Sequence, residues 1–169
     1  MNLYIATKFN NQAAFHDLKG KLEAKGHSVT LDWTKEDSSK VAKKKLKKYL
    51  TQCAINDADA VIASHALILL PVPDMAGALV ELGIALGCGC PIIIVDAFKE
   101  GNQKPIFYHM PEDEYMFKHV ANEEELFAQL EKLDKMANVA KEMVATALEI
   151  ARTINVLDET SKKTVLGNN

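Results

Sequence analysis

The stretch DMAGALVELGIALGCGCPIIIVD, residues 74–96, decides how this chain folds. Its first part is rich in small and apolar residues and predicts a helix over 75–90. Its last part, PIIIVD (91–96), is apolar throughout, which is typical of a strand buried on both faces of a parallel sheet. Between its two terminal aspartates the stretch carries one charge, the carboxylate of Glu81.

Short apolar runs alternate with amphipathic segments along the rest of the chain. Other strands are predicted at 2–6, 27–33 and 66–70, with a short strand or loop at 104–110. For the third strand, 66–70 is preferred over 60–64 because its apolar run is more continuous and Pro71 closes it. Helices are predicted at 10–26, from after Ser39 to about Ala63, and at 122–133, opened by Asn122. This alternation indicates an α/β fold, a parallel sheet of about five strands with helices on both faces.

Composition restricts the classes of protein that the chain can be. With 169 residues, 48% hydrophobic content and a net charge of −3, it resembles an ordinary globular protein and gives no reason to expect binding to nucleic acid polymers or membranes. The amino-terminal residues lack the pattern of a signal peptide, and three cysteines fit a reducing compartment, so we expect a cytoplasmic location.

Sequence motifs give no support for a metal or a cofactor. Cys88 and Cys90 form one Cys-x-Cys pair without a second pair, and the histidines do not recur at metal-ligand spacing. Neither a P-loop nor a dinucleotide-binding glycine pattern is present. We therefore expect a site without metal or cofactor.

Three segments are predicted from the change in pattern along the chain. Residues 1–134 form the α/β domain. Residues 135–157 form an amphipathic helix that packs on this domain or on a partner subunit, and residues 158–169 form a loose tail.

The position of Glu81 allows two interpretations. Its helical neighbours Gly77, Ala78, Ala85 and Cys88 are small and none is basic, so no local ion pair accounts for the carboxylate. Either one face of this helix is exposed to solvent, or Glu81 faces a cleft at the carboxyl ends of the strands, where open parallel sheets bind ligands.

A second acid lies on the buried side of the preceding helix. The apolar stripe of that helix advances by three or four residues through Tyr49 and Cys53 and reaches Asp57 next. The alternative is an aspartate near the helix end that binds nearby backbone. Two inward acids on neighbouring helices are the minimum required to cleave a glycosidic bond.

Several segments together resemble the nucleoside 2-deoxyribosyltransferase-like family, which includes 2′-deoxynucleoside 5′-phosphate N-hydrolases. The main one is GALVELGIALGCGCPIIIV (77–95), similar to the family's G-x-x-x-E-L-G-x-A-x-x-x-G-x-P-I segment. The others are LYIAT (3–7), DADAVIASHALILL (57–70), and KPIFYHMP (104–111) followed by NEEELFAQLEKL (122–133). The resemblance covers about residues 1–133.

The resemblance implies a flavodoxin-like fold, a homodimer or larger homo-oligomer, and a small deoxynucleoside or deoxynucleotide as partner. It implies that Glu81 is the nucleophile and that Asp57, 24 residues earlier, is the second acid. Tyr4 matches the tyrosine that positions the glutamate. The expected substrate contacts are Ala6, Thr7, Lys8, Phe9, Asp74, Met75 and Gly77. Residues expected to reach a partner's site are Phe107, Tyr108 and His109.

Three functions follow from these residues as hypotheses. The first is cleavage of a deoxynucleoside or its 5′-monophosphate through a glycosyl ester on Glu81, with transfer of deoxyribose to another base. The second is hydrolysis at the same site. The third is a nucleotide-binding or sensing module without turnover. A purely structural role, with Glu81 in an interface ion pair, is the remaining alternative.

Overall fold

A five-stranded parallel sheet forms the centre of the first part of this computed structural model, which describes residues 1–95, 110–113 and 115–166, with side chains up to residue 154. The strands are β1 (Asn2–Ala6), β2 (Ser28–Val29), β3 (Ala66–Leu69), β4 (Ile92–Val95) and β5 (Phe117–Val120). Their order is β2-β1-β3-β4-β5. This is the strand order of flavodoxin-like folds, which confirms the fold that the resemblance implies.

Four helices accompany these strands among the described residues: α1 (Gln12–Ala24), α2 (Lys43–Ile62), α3 (Ala76–Cys88) and α4 (Glu123–Leu166). The chain moves one way across the sheet from β1 to β2 and the other way from β2 to β3 and from β3 to β4. Because crossover connections are right-handed, α1 lies on one face and α2 and α3 lie on the other. The direction changes between β1 and β3, and ligands bind at this switch point in such folds.

The core holds the two helices of that face in place. Residues 66–69 of β3 are fully buried, and so are Leu82 and Ala85 of α3, while Ala78 is 1% exposed. Each fully buried large aliphatic side chain contributes roughly 1.5–3 kcal/mol to folding. The stripe of Ala78, Leu82 and Ala85 therefore fixes the rotation of α3 about its axis, and with it the direction in which Glu81 projects.

The strand predictions are confirmed for β1, β3 and β4, and wrong in part for β2. The predicted strand at 27–33 pairs only at Ser28 and Val29. The chain then turns into a 3₁₀ helix at Trp33–Lys35, where the Trp33 indole N–H donates to the Ile5 carbonyl at 3.0 Å. Of the alternating apolar residues, Trp33 is buried in the core, and none beyond Val29 belongs to a strand. The prediction at 104–110 lies almost entirely outside the described residues.

The carboxy-terminal predictions also differ from the structure. One helix, α4, runs from Glu123 to Leu166, so the predicted boundary at 134/135 lies inside a helix and residues 158–166 are helical rather than a loose tail. The side chain of Asn122 caps its start by accepting a hydrogen bond from the Glu125 N–H at 3.0 Å. No glycine or proline interrupts the sequence from 122 to 166, so nothing local breaks the helix.

Chain contacts divide the protein into two compact units, Met1–Phe127 and the residues from Ala128 onward. The sheet and α1–α3 belong to the first unit. Among the described residues, none of the helices combines the length and apolar character that crossing a bilayer requires.

Candidate active site

A cleft of about 430 Å³ opens in the first unit at the carboxyl ends of β1 and β3. One wall is the loop after β1, with Thr7, Lys8 and Phe9, and another is the start of α3. The face of α2 that carries Tyr49, Cys53 and Asp57 forms a further side of the cleft. This is the size of pocket that encloses small organic ligands, and it lies at the switch point of the sheet.

A tyrosine hydroxyl joins the two carboxylates in this cleft. Tyr4 is fully buried in β1, and its hydroxyl donates to Glu81 Oε1 at 2.8 Å and to Asp57 Oδ1 at 3.2 Å. Since both oxygens contact one hydroxyl, they lie at most about 6 Å apart, the sum of the two distances. The hydroxyl has one hydrogen, which is shared between the two carboxyl oxygens.

The surroundings of Glu81 favour the protonated form of its carboxyl group. Burial raises the pKa of its carboxyl to about 7; the Tyr4 hydrogen bond lowers that pKa, and the charge of Asp57 raises it. Its second oxygen, Oε2, is buried and has no hydrogen-bond partner among the described residues. A buried carboxylate oxygen without a partner is costly, and such groups are typical of functional sites. The interpretation of Glu81 as a solvent-exposed residue is therefore wrong.

Asp57 and Tyr4 complete the cluster, and burial raises the pKa of both side chains. Burial raises the pKa of the Asp57 carboxyl, the nearby charge of Glu36 raises it further, and the Tyr4 hydrogen bond lowers it. Burial and the two carboxylates raise the pKa of the Tyr4 phenol far above its usual range. Tyr4 therefore stays protonated and acts as a donor, while Asp57 retains a proton more readily than an exposed aspartate does.

A hydrogen bond joins the two loops that border the cleft. The Thr7 hydroxyl donates to the Leu70 carbonyl at 2.9 Å, and it accepts from the Asn11 amide at 3.0 Å. The first of these bonds links the loop after β1 to the residue that follows β3. The loop after β3 continues to Asp74, which has a φ of 58°, a left-handed conformation that aspartate tolerates better than most residues. The backbone enters α3 through this turn.

One cation and one aromatic face stand at the cleft entrance. Lys8 Nζ donates to the Pro73 carbonyl at 3.3 Å and lies 3.9 Å from the exposed carboxylate of Asp74, an ion pair of little energetic weight. Phe9 is 56% exposed, and its ring centroid lies 5.9 Å from that of Trp33. The exposed Phe9 ring thus presents an apolar surface to a ligand.

The structure brings most of the residues predicted from the sequence to this cleft. Tyr4, Asp57 and Glu81 form one hydrogen-bonded cluster. The side walls include Thr7, Lys8, Phe9, Asp74, Met75 and Gly77. Ala6 is an exception, because it is fully buried within β1 and does not line the cleft. Phe107, Tyr108 and His109 lie outside the described residues.

Some cleft residues were not predicted. Glu36 follows the 3₁₀ helix at Trp33–Lys35, lines the cleft beside Asp57, and accepts a hydrogen bond from Asn56 Nδ2 at 3.4 Å. No periodic pattern in the sequence marks its position. Tyr49 and Cys53 also line the cleft, and here a signal existed, since both lie on the apolar stripe that leads to Asp57.

Comparison with solved structures finds a likeness to an enzyme of known structure. No protein-family model matches the chain, and no curated protein matches it. A solved structure of the CMP N-glycosidase BcmB from Clostridium botulinum is 24% identical in sequence and superposes with a TM-score of 0.41. The match covers 56% of this chain and 70% of that chain. The strand order and the cleft at the switch point define the class of this protein as flavodoxin-like α/β.

Proposed function

We propose that this protein is an enzyme that cleaves the N-glycosidic bond of 2′-deoxynucleosides, or of their 5′-monophosphates, and transfers the deoxyribose to another base. The observation that supports this best is the pair of carboxyl oxygens, at most about 6 Å apart, around the Tyr4 hydroxyl. Glycosidases that form a covalent sugar ester hold their carboxyls ~5–5.5 Å apart, whereas those that activate water directly need ~6.5–9.5 Å. The upper limit on the distance between Asp57 Oδ1 and Glu81 Oε1 lies below the separation that direct activation of water needs, which favours the covalent route.

The proposed reaction has two displacement steps at the same carbon. In the first, ionised Glu81 attacks C1′ and the C1′–N bond breaks. The bonding electron pair leaves with the base, which takes a proton from Asp57 or from solvent. In the second, a nitrogen of the acceptor base attacks C1′, the base gives up its N–H proton to Asp57 or to solvent, and the Glu81 carboxylate is released. Both transition states resemble an oxocarbenium ion, whose positive charge the carboxylate stabilises.

Tyr4 positions the carboxylate of Glu81. The hydroxyl donates to Oε1 and so fixes the orientation of the carboxylate at the edge of the cleft. Because the phenol stays protonated, Tyr4 acts as a fixed donor rather than as a base. The absence of a 2′-hydroxyl makes the oxocarbenium ion easier to form, which fits a preference for deoxyribose.

The lining of the cleft supports an uncharged substrate more than a phosphorylated one. Its described residues include four carboxylates and one ammonium group, that of Lys8; the carboxylates belong to Glu36, Asp57, Asp74 and Glu81. A dianionic 5′-phosphate in this lining meets net repulsion. The exposed ring of Phe9 supplies a surface on which a base can stack.

Water in place of the acceptor base turns the same two steps into hydrolysis. A chromatographic assay of 2′-deoxynucleosides and their 5′-monophosphates separates these outcomes. We expect release of free base, and formation of a new deoxynucleoside when a second free base is added. If base is released but the added base forms no new deoxynucleoside, the protein is an N-hydrolase. A thermal shift with ligand but no base release overturns the proposal in favour of a binding module.

Replacing Tyr4 with Phe should move the pH dependence of the reaction. The Tyr4 hydrogen bond lowers the pKa of Glu81, so its loss raises that pKa further above about 7. Glu81 must be ionised to attack, so the rising limb of kcat/KM against pH is expected to shift to higher pH in Tyr4→Phe. Tyr49→Phe is the matched control, because Tyr49 lines the cleft without bonding to Glu81. The rising limb of kcat/KM in this variant should stay at the wild-type pH. A limb that stays fixed in Tyr4→Phe contradicts this role.

A further inference from the structure

A long segment of α4 is exposed around its whole circumference. Every residue from 138 to 154, in the unit that starts at Ala128, is solvent-exposed. Large apolar side chains lie open among them, including Met143 at 68% and Ile154 at 59%. A helix without tertiary packing is only marginally stable in water, and contiguous exposed apolar surface marks an interaction site. This segment therefore needs a partner surface.

The apolar residues of this segment follow a heptad repeat. Met136, Met143 and Ile150 recur every seven residues, and Ala140, Ala147 and Ile154 each lie four residues after one of them. Apolar residues spaced alternately by four and three form the contact seam of a coiled coil. We refer to these six residues as the α4 seam. The two alanines in the seam let a second helix approach closely.

The charges of the segment all lie away from the seam. The four charged residues between 136 and 154 are Lys141, Glu142, Glu149 and Arg152, and they occupy the outer heptad positions. The positions flanking the seam are small or apolar and uncharged: Ala137, Val139, Val144, Thr146, Ala151 and Thr153. The four charges cancel, so the segment offers no net attraction to a polyanion, a basic protein or an anionic lipid surface. Its partner must present an uncharged helical face.

We propose that the α4 seam pairs with the α4 seam of a second copy of this chain. The second copy presents an uncharged face of the same length and the same repeat, and it is present wherever the first copy is. Pairing like with like gives a self-complementary interface, the commonest arrangement in homo-oligomers. The wide uncharged face, which extends to both flanking positions, also accommodates more than two helices.

Sedimentation of the full chain tests this inference. The wild-type protein is expected to sediment at twice its monomer mass of 18.6 kDa or more, and the double variant Met143→Glu, Ile150→Glu at the monomer mass. Leu148→Glu is the matched control: it adds the same charge at a position that is 55% exposed but outside the seam, and it should leave the assembly intact. Met143→Leu, Ile150→Leu keeps the seam apolar and should also remain assembled.

Two results overturn the inference. One is a wild-type protein that stays monomeric at micromolar concentration. The other is an assembly whose mass does not change in the two-glutamate seam variant. The substituted side chains are exposed, so each variant should keep the melting curve of its first unit, and circular dichroism confirms that a lower mass reflects dissociation. Base release is assayed separately, so a failure of this inference is distinguishable from a failure of the proposed function.

Discussion

Replacing Glu81 with Gln should reduce base release from deoxynucleosides by at least roughly 10³-fold, because it removes the carboxylate that we propose bonds to C1′. Glutamine has nearly the same shape and still accepts the Tyr4 hydrogen bond through its carbonyl oxygen. It has no anionic oxygen to attack with. The measurement is the initial rate of base release by chromatography, at pH 8, where wild-type Glu81 is mostly ionised.

The same substitution should make the folded protein more stable at that pH. Glu81 has an ordinary pKa of 4.5, raised to about 7 in the folded state. Below pH 4.5 the carboxyl is protonated in both states, and the folded state bears no penalty. The penalty grows as the pH rises through that interval, and above about 7 it reaches about 3 kcal/mol. The neutral amide of the Glu81→Gln variant avoids this penalty, so the stability gain should be larger at pH 8 than at pH 5.

Stability thus serves as the control for folding in this experiment. A variant that is inactive and at least as stable as the wild type, by chemical denaturation, has lost the reacting group and not the fold. Glu81→Ala with added azide gives an independent test, since azide can occupy the space of the carboxylate and yield a deoxyribosyl azide. A Glu81→Gln protein with full activity would falsify the assignment of the nucleophile.

Replacing Asp57 with Asn should lower the rate with ordinary bases by roughly 10²–10³-fold, the usual contribution of a general acid. Burial and the charge of Glu36 raise the pKa of Asp57, which favours the protonated form that a leaving base requires. Asparagine keeps the contact with the Tyr4 hydroxyl through its carbonyl oxygen but has no proton of that acidity to give. The loss should therefore depend on the leaving group.

A substrate with an activated base separates proton donation from positioning. The base of 7-methyl-2′-deoxyguanosine departs as a neutral molecule without being protonated, so Asp57→Asn should cleave it at close to the wild-type rate. Asp59→Asn is the matched control, an exposed acid on the same helix, and should behave as wild type on both substrates. An equal loss on both substrates in Asp57→Asn would mean that Asp57 only positions the sugar or Glu81.

Much of the fold and the centre of the site could be predicted because buried segments leave periodic patterns. The apolar run of 92–95 identified β4, and the helical stripe of α2 led to Asp57. Strand β5 was missed because Lys118 and His119 interrupt its apolar pattern. The position of Glu36 depends on a 3₁₀ turn, which has no period long enough to detect. Side-chain geometry around Tyr4 depends on three distant segments and requires coordinates.

The tyrosine that joins the two acids belongs to β1, an inner strand of the sheet, whereas Phe9, Lys8 and Asp74 belong to loops. The two acids belong to α2 and α3, so the groups that we propose break the bond are all held by regular secondary structure. Under the proposed function, mutations in the loops are expected to alter which nucleobase is accepted while the reaction itself is retained. An enzyme with this arrangement can change its range of substrates while its catalytic residues stay the same.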